Sequence, residues 1–148
     1  MPAARPARLY RAVIENTPGQ LAAALAPFAK AGSDLQVVMA YRQPGDRTRA
    51  AVEVYPVEGR RLKAAAAAAG FAPMATPMIV VEGKNRAGEG ERIAAALARA
   101  GINLQYLVVQ VVGRRYAAVF GFESDRDART AARIITRASR TPSTPPKA

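Results

Sequence analysis

Asn16-Thr17-Pro18-Gly19-Gln20-Leu21 and Asn85-Arg86-Ala87-Gly88-Glu89-Gly90 lie 69 residues apart, and the same offset carries Ala31-Gly32 onto Ala100-Gly101 and Leu35-Gln36 onto Leu104-Gln105. Over positions 16–36 the shift matches eight residues of twenty-one. Three of these are Ala on Ala, which an alanine-rich chain produces cheaply, but Asn, two Gly, Leu and Gln are harder to obtain that way. The chain reads as a duplication, each copy a single supersecondary unit.

Outward from the first loop, Arg8–Glu15 carries β-branched and aromatic residues up to a Pro-Gly turn signal, the mark of a strand. From Gln20 to Ala31 the apolar residues Leu21, Ala24, Leu25 and Phe28 recur at helical spacing, and Gly32 is placed to end that helix. Pro27 conflicts with it: an interior proline removes a hydrogen bond and clashes with the preceding turn at ~3 kcal/mol, so the helix is expected to kink or shorten there. Leu35–Arg42 alternates apolar and polar residues, Ala50–Val57 is a second β-like run, and Gln43-Pro44-Gly45-Asp46 suits the turn of a hairpin. Glu58–Ala69 then reads as a helix and Phe71–Thr76 as a fourth strand, giving β-α-β-β-α-β.

The second copy repeats the order. Met78–Glu82 is a strand, the Asn85–Gly88 loop leads into a helix with Ile93, Leu97 and Ala100 on one face, and Gly101 ends it. Leu104–Val112 and Tyr116–Phe122 form a hairpin whose turn at Gly113-Arg114 is read as two residues shorter, so that at an offset of 67 Val52 falls on Val119 and Tyr55 on Phe122. Ser124 is a capping hydroxyl before a helix over Asp127–Arg137. No final strand follows; Thr141–Lys147 is Pro-rich, and 138–148 is expected to be a flexible basic tail.

The strand, Glu15–Leu21 loop, helix, Ala-Gly stop and hairpin, in that order and twice, resemble the ACT domain, a small ligand-binding regulatory module. The resemblance spans roughly residues 8–137. It implies an α+β protein of two ferredoxin-like βαββαβ modules in tandem, 8–76 and 77–137, the second lacking a clear final strand. It also implies an amino acid bound at an interface between modules, held by the loop after the first strand and by a polar residue near the start of the second. Those positions here are Asn16, Pro18, Gly19, Gln20 and Leu21 with Asp34 and Leu35, and Asn85, Ala87, Gly88 and Glu89 with Asn103 and Leu104. In each copy the polar partner follows the Asn by eighteen residues.

The chemistry suits such a ligand. An Asn amide offers both donor and acceptor, glycine lets backbone N–H groups approach closely, and a helix N-terminus favours a carboxylate. Asn16 and Asn85 equally suit turn positions, because Asn tolerates unusual backbone angles and caps helices. Where the copies differ (Pro18 against Ala87, Leu21 against Gly90, Asp34 against Asn103), the Asn85/Asn103 pair is preferred for polar recognition.

Composition narrows the alternatives. The 148 residues include no Cys and no His, so disulfides, thiolate chemistry and the commonest neutral-pH acid/base and soft-metal ligands are missing. Glu15, Glu82, Glu89 and Glu91 lie near the two loops but lack a partner for acid/base work, and Gly83, Gly88 and Gly90 lack the context of a nucleotide cradle. A non-enzymatic protein without cofactor or metal is expected. No apolar run reaches the ~18 residues of a membrane span and Met1–Arg8 is not a secretory signal, so a cytoplasmic protein is expected.

The net charge of +11 makes polyanion binding physically plausible. The bases are interspersed with acids, however, and Arg126, Arg129, Arg133, Arg137 and Arg140, which line one side of the last helix, are not interleaved with aromatic residues for base stacking. A solvated charged face is therefore preferred to a nucleic-acid site. The expected partners are a small-molecule amino acid and a second copy of the chain in a homodimer. Docking on a metabolic enzyme as its detached regulatory subunit is the first alternative, and nucleic-acid binding the second.

Overall fold

A computed structural model of the chain describes residues 3–140. The backbone is α+β, two four-stranded antiparallel sheets and four helices. In chain order the elements are β1 (Ala3–Ala7), β2 (Tyr10–Glu15), α1 (Gln20–Lys30), β3 (Val37–Gln43), β4 (Asp46–Tyr55), α2 (Arg60–Ala68), β5 (Ala72–Pro73), β6 (Met78–Lys84), α3 (Glu89–Arg99), β7 (Leu104–Val112), β8 (Arg115–Phe122) and α4 (Asp125–Ala138). They divide into two compact units. One is Arg8–Ala75; among the described residues the other unites Ala3–Ala7 with Thr76–Arg140.

The first unit has strand order β3-β4-β2-β5. Its helical side buries Ala12, Val52 and Val54 of the sheet against Ala24 and Phe28 of α1 and Ala66 of α2, with Phe28 and Phe71 meeting edge-on at 5.0 Å between ring centroids. The second unit has order β1-β6-β8-β7. Here Ile79, Val81, Ala118 and Phe120 face Ile93 and Leu97 of α3 and Ala128, Ala131 and Ile135 of α4.

The structure departs from expectation in three places. First, no strand follows α4 among the described residues, as expected, but the second sheet is still four-stranded: β1 pairs antiparallel with β6, from Ala3 opposite Glu82 to Ala7 opposite Met78, in the place that β5 takes beside β2. Ala3–Ala7 contains no β-branched or aromatic residue. Its strand conformation comes from the sheet edge it completes, and Pro6 is tolerated because an edge strand need not donate on both sides.

Second, α1 runs unshortened from Gln20 to Lys30 through Pro27. The proline falls in the last turn, where packing of Phe28 at 1% exposure offsets one lost bond.

Third, the register sets the hairpin offset at 66, not 67. Val52 lies opposite Ala12, and Ala118 opposite Val81, whereas Val119 lies opposite Val80. Val52 and Val54 thus correspond to Ala118 and Phe120, all four facing their helices. A shift of one would have turned every side chain to the other face. The irregularity between Arg42 and Gln43 in the first hairpin absorbs the extra residues.

The last helix starts at Asp125, directly after its expected cap, with Ser124 Oγ accepting from the Asp127 N–H at 3.1 Å. Its buried stripe is Ala128, Ala131 and Ile135, while Arg126, Arg129, Arg133, Arg137 and Arg140 are exposed. The helix includes Ala138 from the expected tail; residues 141–148 of that tail lie outside the described residues. Among the described residues no helix is long and apolar enough to cross a membrane.

Candidate functional site

Both Asn loops make the same backbone turn. The Asn16 N–H donates to the Thr48 carbonyl at 2.8 Å and the Asn85 N–H to the Arg114 carbonyl at 2.9 Å, so each loop is tied to the turn of its own hairpin. Gly19 and Gly88 precede the helices with φ of 88° and 78°, a left-handed conformation that other residues adopt only under strain. A glycine at the cap supplies no side-chain acceptor, and neither α1 nor α3 has a side-chain cap. The first N–H of each, Gln20 and Glu89, donates back to the Thr17 and Arg86 carbonyls at 3.3 and 3.1 Å, and the N–H groups of the next two residues are left for solvent or a ligand.

The side chains diverge. Asn16 donates from Nδ2 to the Arg47 carbonyl at 2.9 Å, which commits its amide donor to the hairpin turn. Pro18, Gly19, Gln20 and Leu21 are exposed just after it in the chain, Asp34 is exposed beyond the end of α1, and Leu35 packs at the edge of the first core. The Asn85 amide has no hydrogen-bond partner among the described residues and lines a narrow cleft of about 50 Å³. The walls of this cleft are apolar: Ile93 of α3, Leu104, Leu107 and Val109 of β7, and Phe120 of β8. Glu89 and Gly90 complete it at the start of α3, so Asn85, Glu89 and Leu104 are brought together. Ala87 and Gly88 are exposed on the adjoining loop, and Asn103 is exposed outside the cleft wall.

Glu89 is the unusual member, 6% exposed and ion-paired with Arg92 one turn on. Glu15, Glu82 and Glu91 are exposed. No group of three acidic residues suited to a metal occurs among the described residues.

Tyr116 is a site residue that sequence reading passes over. It is 6% exposed and lies opposite Gly83 in the β6–β8 ladder. A Cβ on Gly83 would come within 2.7 Å of the ring, so the glycine is what lets the tyrosine cross β6. At the matching positions of the first unit Ile14 lies opposite Ala50, large and small residues exchanged. Burial pushes the Tyr116 phenol above its usual 10.0; the Ser139 hydroxyl works in the opposite direction and Glu89 adds to the rise. Behind Tyr116 lies a second, polar cavity of about 260 Å³, walled by Gly83, Lys84, Arg86, Glu89, Ser139 and Arg140.

The first unit has its own buried polar group. Glu53, 3% exposed, accepts from Tyr41 Oη at 2.8 Å and lies 3.6 Å from Arg11 Nε. Burial, then the Glu53 hydrogen bond, raises the Tyr41 phenol above 10.0.

No family model and no curated relative matches the sequence. Solved structures do share the backbone. A protein, BT0572, from Bacteroides thetaiotaomicron superposes with a TM-score of 0.73 at 15% identity over 88% of both chains. The ligand-free regulatory subunit of aspartate kinase from Thermus thermophilus superposes at 0.62 and 15% identity, over 93% of this chain and 95% of that one. Aspartate kinase from Synechocystis matches at 0.59 and 16% identity, over 99% of this chain and 28% of the enzyme. At these identities the likeness is one of fold.

Proposed function

We propose that this chain is a non-enzymatic regulatory protein of two ACT-like modules, residues 8–76 and 77–137, the second completed by the strand Ala3–Ala7, that the two arose by duplication, and that the second binds an amino acid. One observation carries the reading: an unpartnered Asn85 amide stands beside an uncapped helix N-terminus at the mouth of an apolar cleft. The amide and the N–H groups suit the charged ends of a zwitterion, and the cleft suits an aliphatic side chain. No proton transfer is required. Asn103 and Ala87 contribute at the rim.

At about 50 Å³ the cleft is well short of the roughly 300 Å³ of a ligand pocket, so a second surface must complete it. That surface is a second copy of the chain. β7 is an unpaired sheet edge, and Leu107, Val108, Val109, Val111 and Val112 are 44–71% exposed along it. Such an edge is a template for pairing unless something covers it. Leu107 and Val109 belong to both the edge and the cleft, so pairing along β7 would place the ligand between modules of two protomers. Binding then shifts packing only to the extent that the ligand prefers one arrangement over another.

The homodimer is tested by mass in solution: about twice 15.7 kDa is expected, reduced to a monomer by Val109→Lys, and a monomeric parent at micromolar concentration contradicts it. The ligand is tested by a thermal-shift screen of the twenty amino acids, with stabilisation by one or a few aliphatic ones expected. A second reading, a detached regulatory subunit that docks on an enzyme without its own ligand, draws on the full-length fold match to a protein described as such a subunit. It is favoured if no amino acid shifts the melting temperature and an enzyme co-purifies.

A further inference from the structure

The polar cavity behind Tyr116 does not belong to the amino-acid cleft. The Tyr116 hydroxyl lies over Gly83 and near Ser139, and both of these wall the polar cavity but not the apolar one. Two buried hydroxyls on its wall, Tyr116 Oη and Ser139 Oγ, stand near each other but make no well-formed hydrogen bond among the described residues. Buried polar atoms are ordinarily paired, and two left over on one cavity mark a place where something else completes them. Both can donate. Lys84, Arg86 and Arg140 add positive charge on the remaining wall. Against these stand the Glu89 carboxylate, which Arg92 already neutralises, and the C-terminal end of α4 at Ser139. Among the lining side chains three cations, Lys84, Arg86 and Arg140, stand against one anion, Glu89.

We propose that this cavity is an oxyanion site that takes a phosphate group, either free inorganic phosphate or the phosphoryl end of a small metabolite. A tetrahedral oxyanion offers several acceptors at once, matching hydroxyl, guanidinium and ammonium donors that converge from β6, β8, the loop before α3 and the end of α4. About 260 Å³ accommodates the phosphate with a few further atoms. The site does not depend on the amino-acid reading. It shares only the Glu89–Tyr116 wall with that cleft, so each site can fail alone.

The test uses the full chain, with inorganic phosphate and glycerol 3-phosphate titrated at constant ionic strength against chloride, read by calorimetry and thermal shift. Saturable binding is expected. Arg86→Ala and Lys84→Ala should each weaken it about tenfold, the loss of one charge-assisted hydrogen bond. Tyr116→Phe removes a hydroxyl whose only side-chain neighbour named here is Ser139, with no well-formed hydrogen bond between them, so it should change the phosphate-free melting temperature little while weakening phosphate severalfold. Arg133→Ala and Arg137→Ala, on the exposed stripe of α4, should change nothing. Tighter binding of glycerol 3-phosphate than of phosphate assigns the site to a metabolite, and the reverse to the free ion. The proposal is overturned if neither probe binds saturably, or if Arg133→Ala weakens binding as much as Arg86→Ala.

Discussion

The two units share a loop and use it differently. In the first, the Asn16 amide is bound to the Arg47 carbonyl, and Leu21 and Asp34 lie in the open. In the second, the same backbone turn holds Asn85 with its amide unengaged over an apolar cleft, and an exchange of large and small residues, Ile14/Ala50 against Gly83/Tyr116, brings a hydroxyl and a polar cavity to the same end of the sheet. Identical backbone hydrogen bonds preserve the fold in both units. The side-chain amide and the opposed pair one strand away decide whether a loop is scaffold or site.

The largest effects should come from the cores, which share no residue. Phe28→Ala in the first and Leu97→Ala in the second should each cost about 3–4 kcal/mol, measured by urea unfolding. Hydrogen exchange should show protection lost first in the unit that carries the change, and equal loss in both would break the comparison. Gly83→Ala is next. Its Cβ has no room beside the Tyr116 ring, and overpacking of this kind costs about 1–3 kcal/mol. A neutral result would mean that the tyrosine is not held across β6.

Smaller effects separate the two asparagines. Asn16→Ala loses a bond to an exposed carbonyl and should cost about 0.5–1.5 kcal/mol, whereas Asn85→Ala should change stability by less than ~0.5 kcal/mol because no partner is lost.

The smallest concerns pH. Tyr41 and Tyr116 both have folded-state values above 10.0, so the folded chain holds protons that the unfolded chain releases. Stability is unaffected below the unfolded value and declines as the pH rises through about 10 toward the folded values. Tyr41→Phe and Tyr116→Phe should each flatten that decline in melting temperature, and a steeper fall in either variant would contradict the assignment.

Much of this architecture is legible in the sequence. The spacing of Leu21, Ala24, Leu25 and Phe28, the alternation after Leu35 and the Ser124 cap are local signals, and local signals survive folding. The strand over Ala3–Ala7 is not, because nothing in Ala-Ala-Arg-Pro-Ala favours extension until β6 offers an edge. Nor is the offset of 66, since Val-on-Val matching at 67 looks better as letters while the pleat requires the other register. The cleft shows the same division. Asn85, Glu89 and Leu104 could be singled out by type and spacing, yet Tyr116 acquires its meaning only from Gly83 opposite it, a pairing that depends on register.

The most direct test of the comparison is the amino-acid thermal-shift screen carried out in parallel on the parent chain, Asn16→Ala and Asn85→Ala. The account predicts a lower starting melting temperature for Asn16→Ala with its ligand-induced rise intact, and an unchanged starting temperature for Asn85→Ala with the rise abolished. Loss of the rise in Asn16→Ala with retention in Asn85→Ala, or no rise with any amino acid in the parent chain, would contradict it.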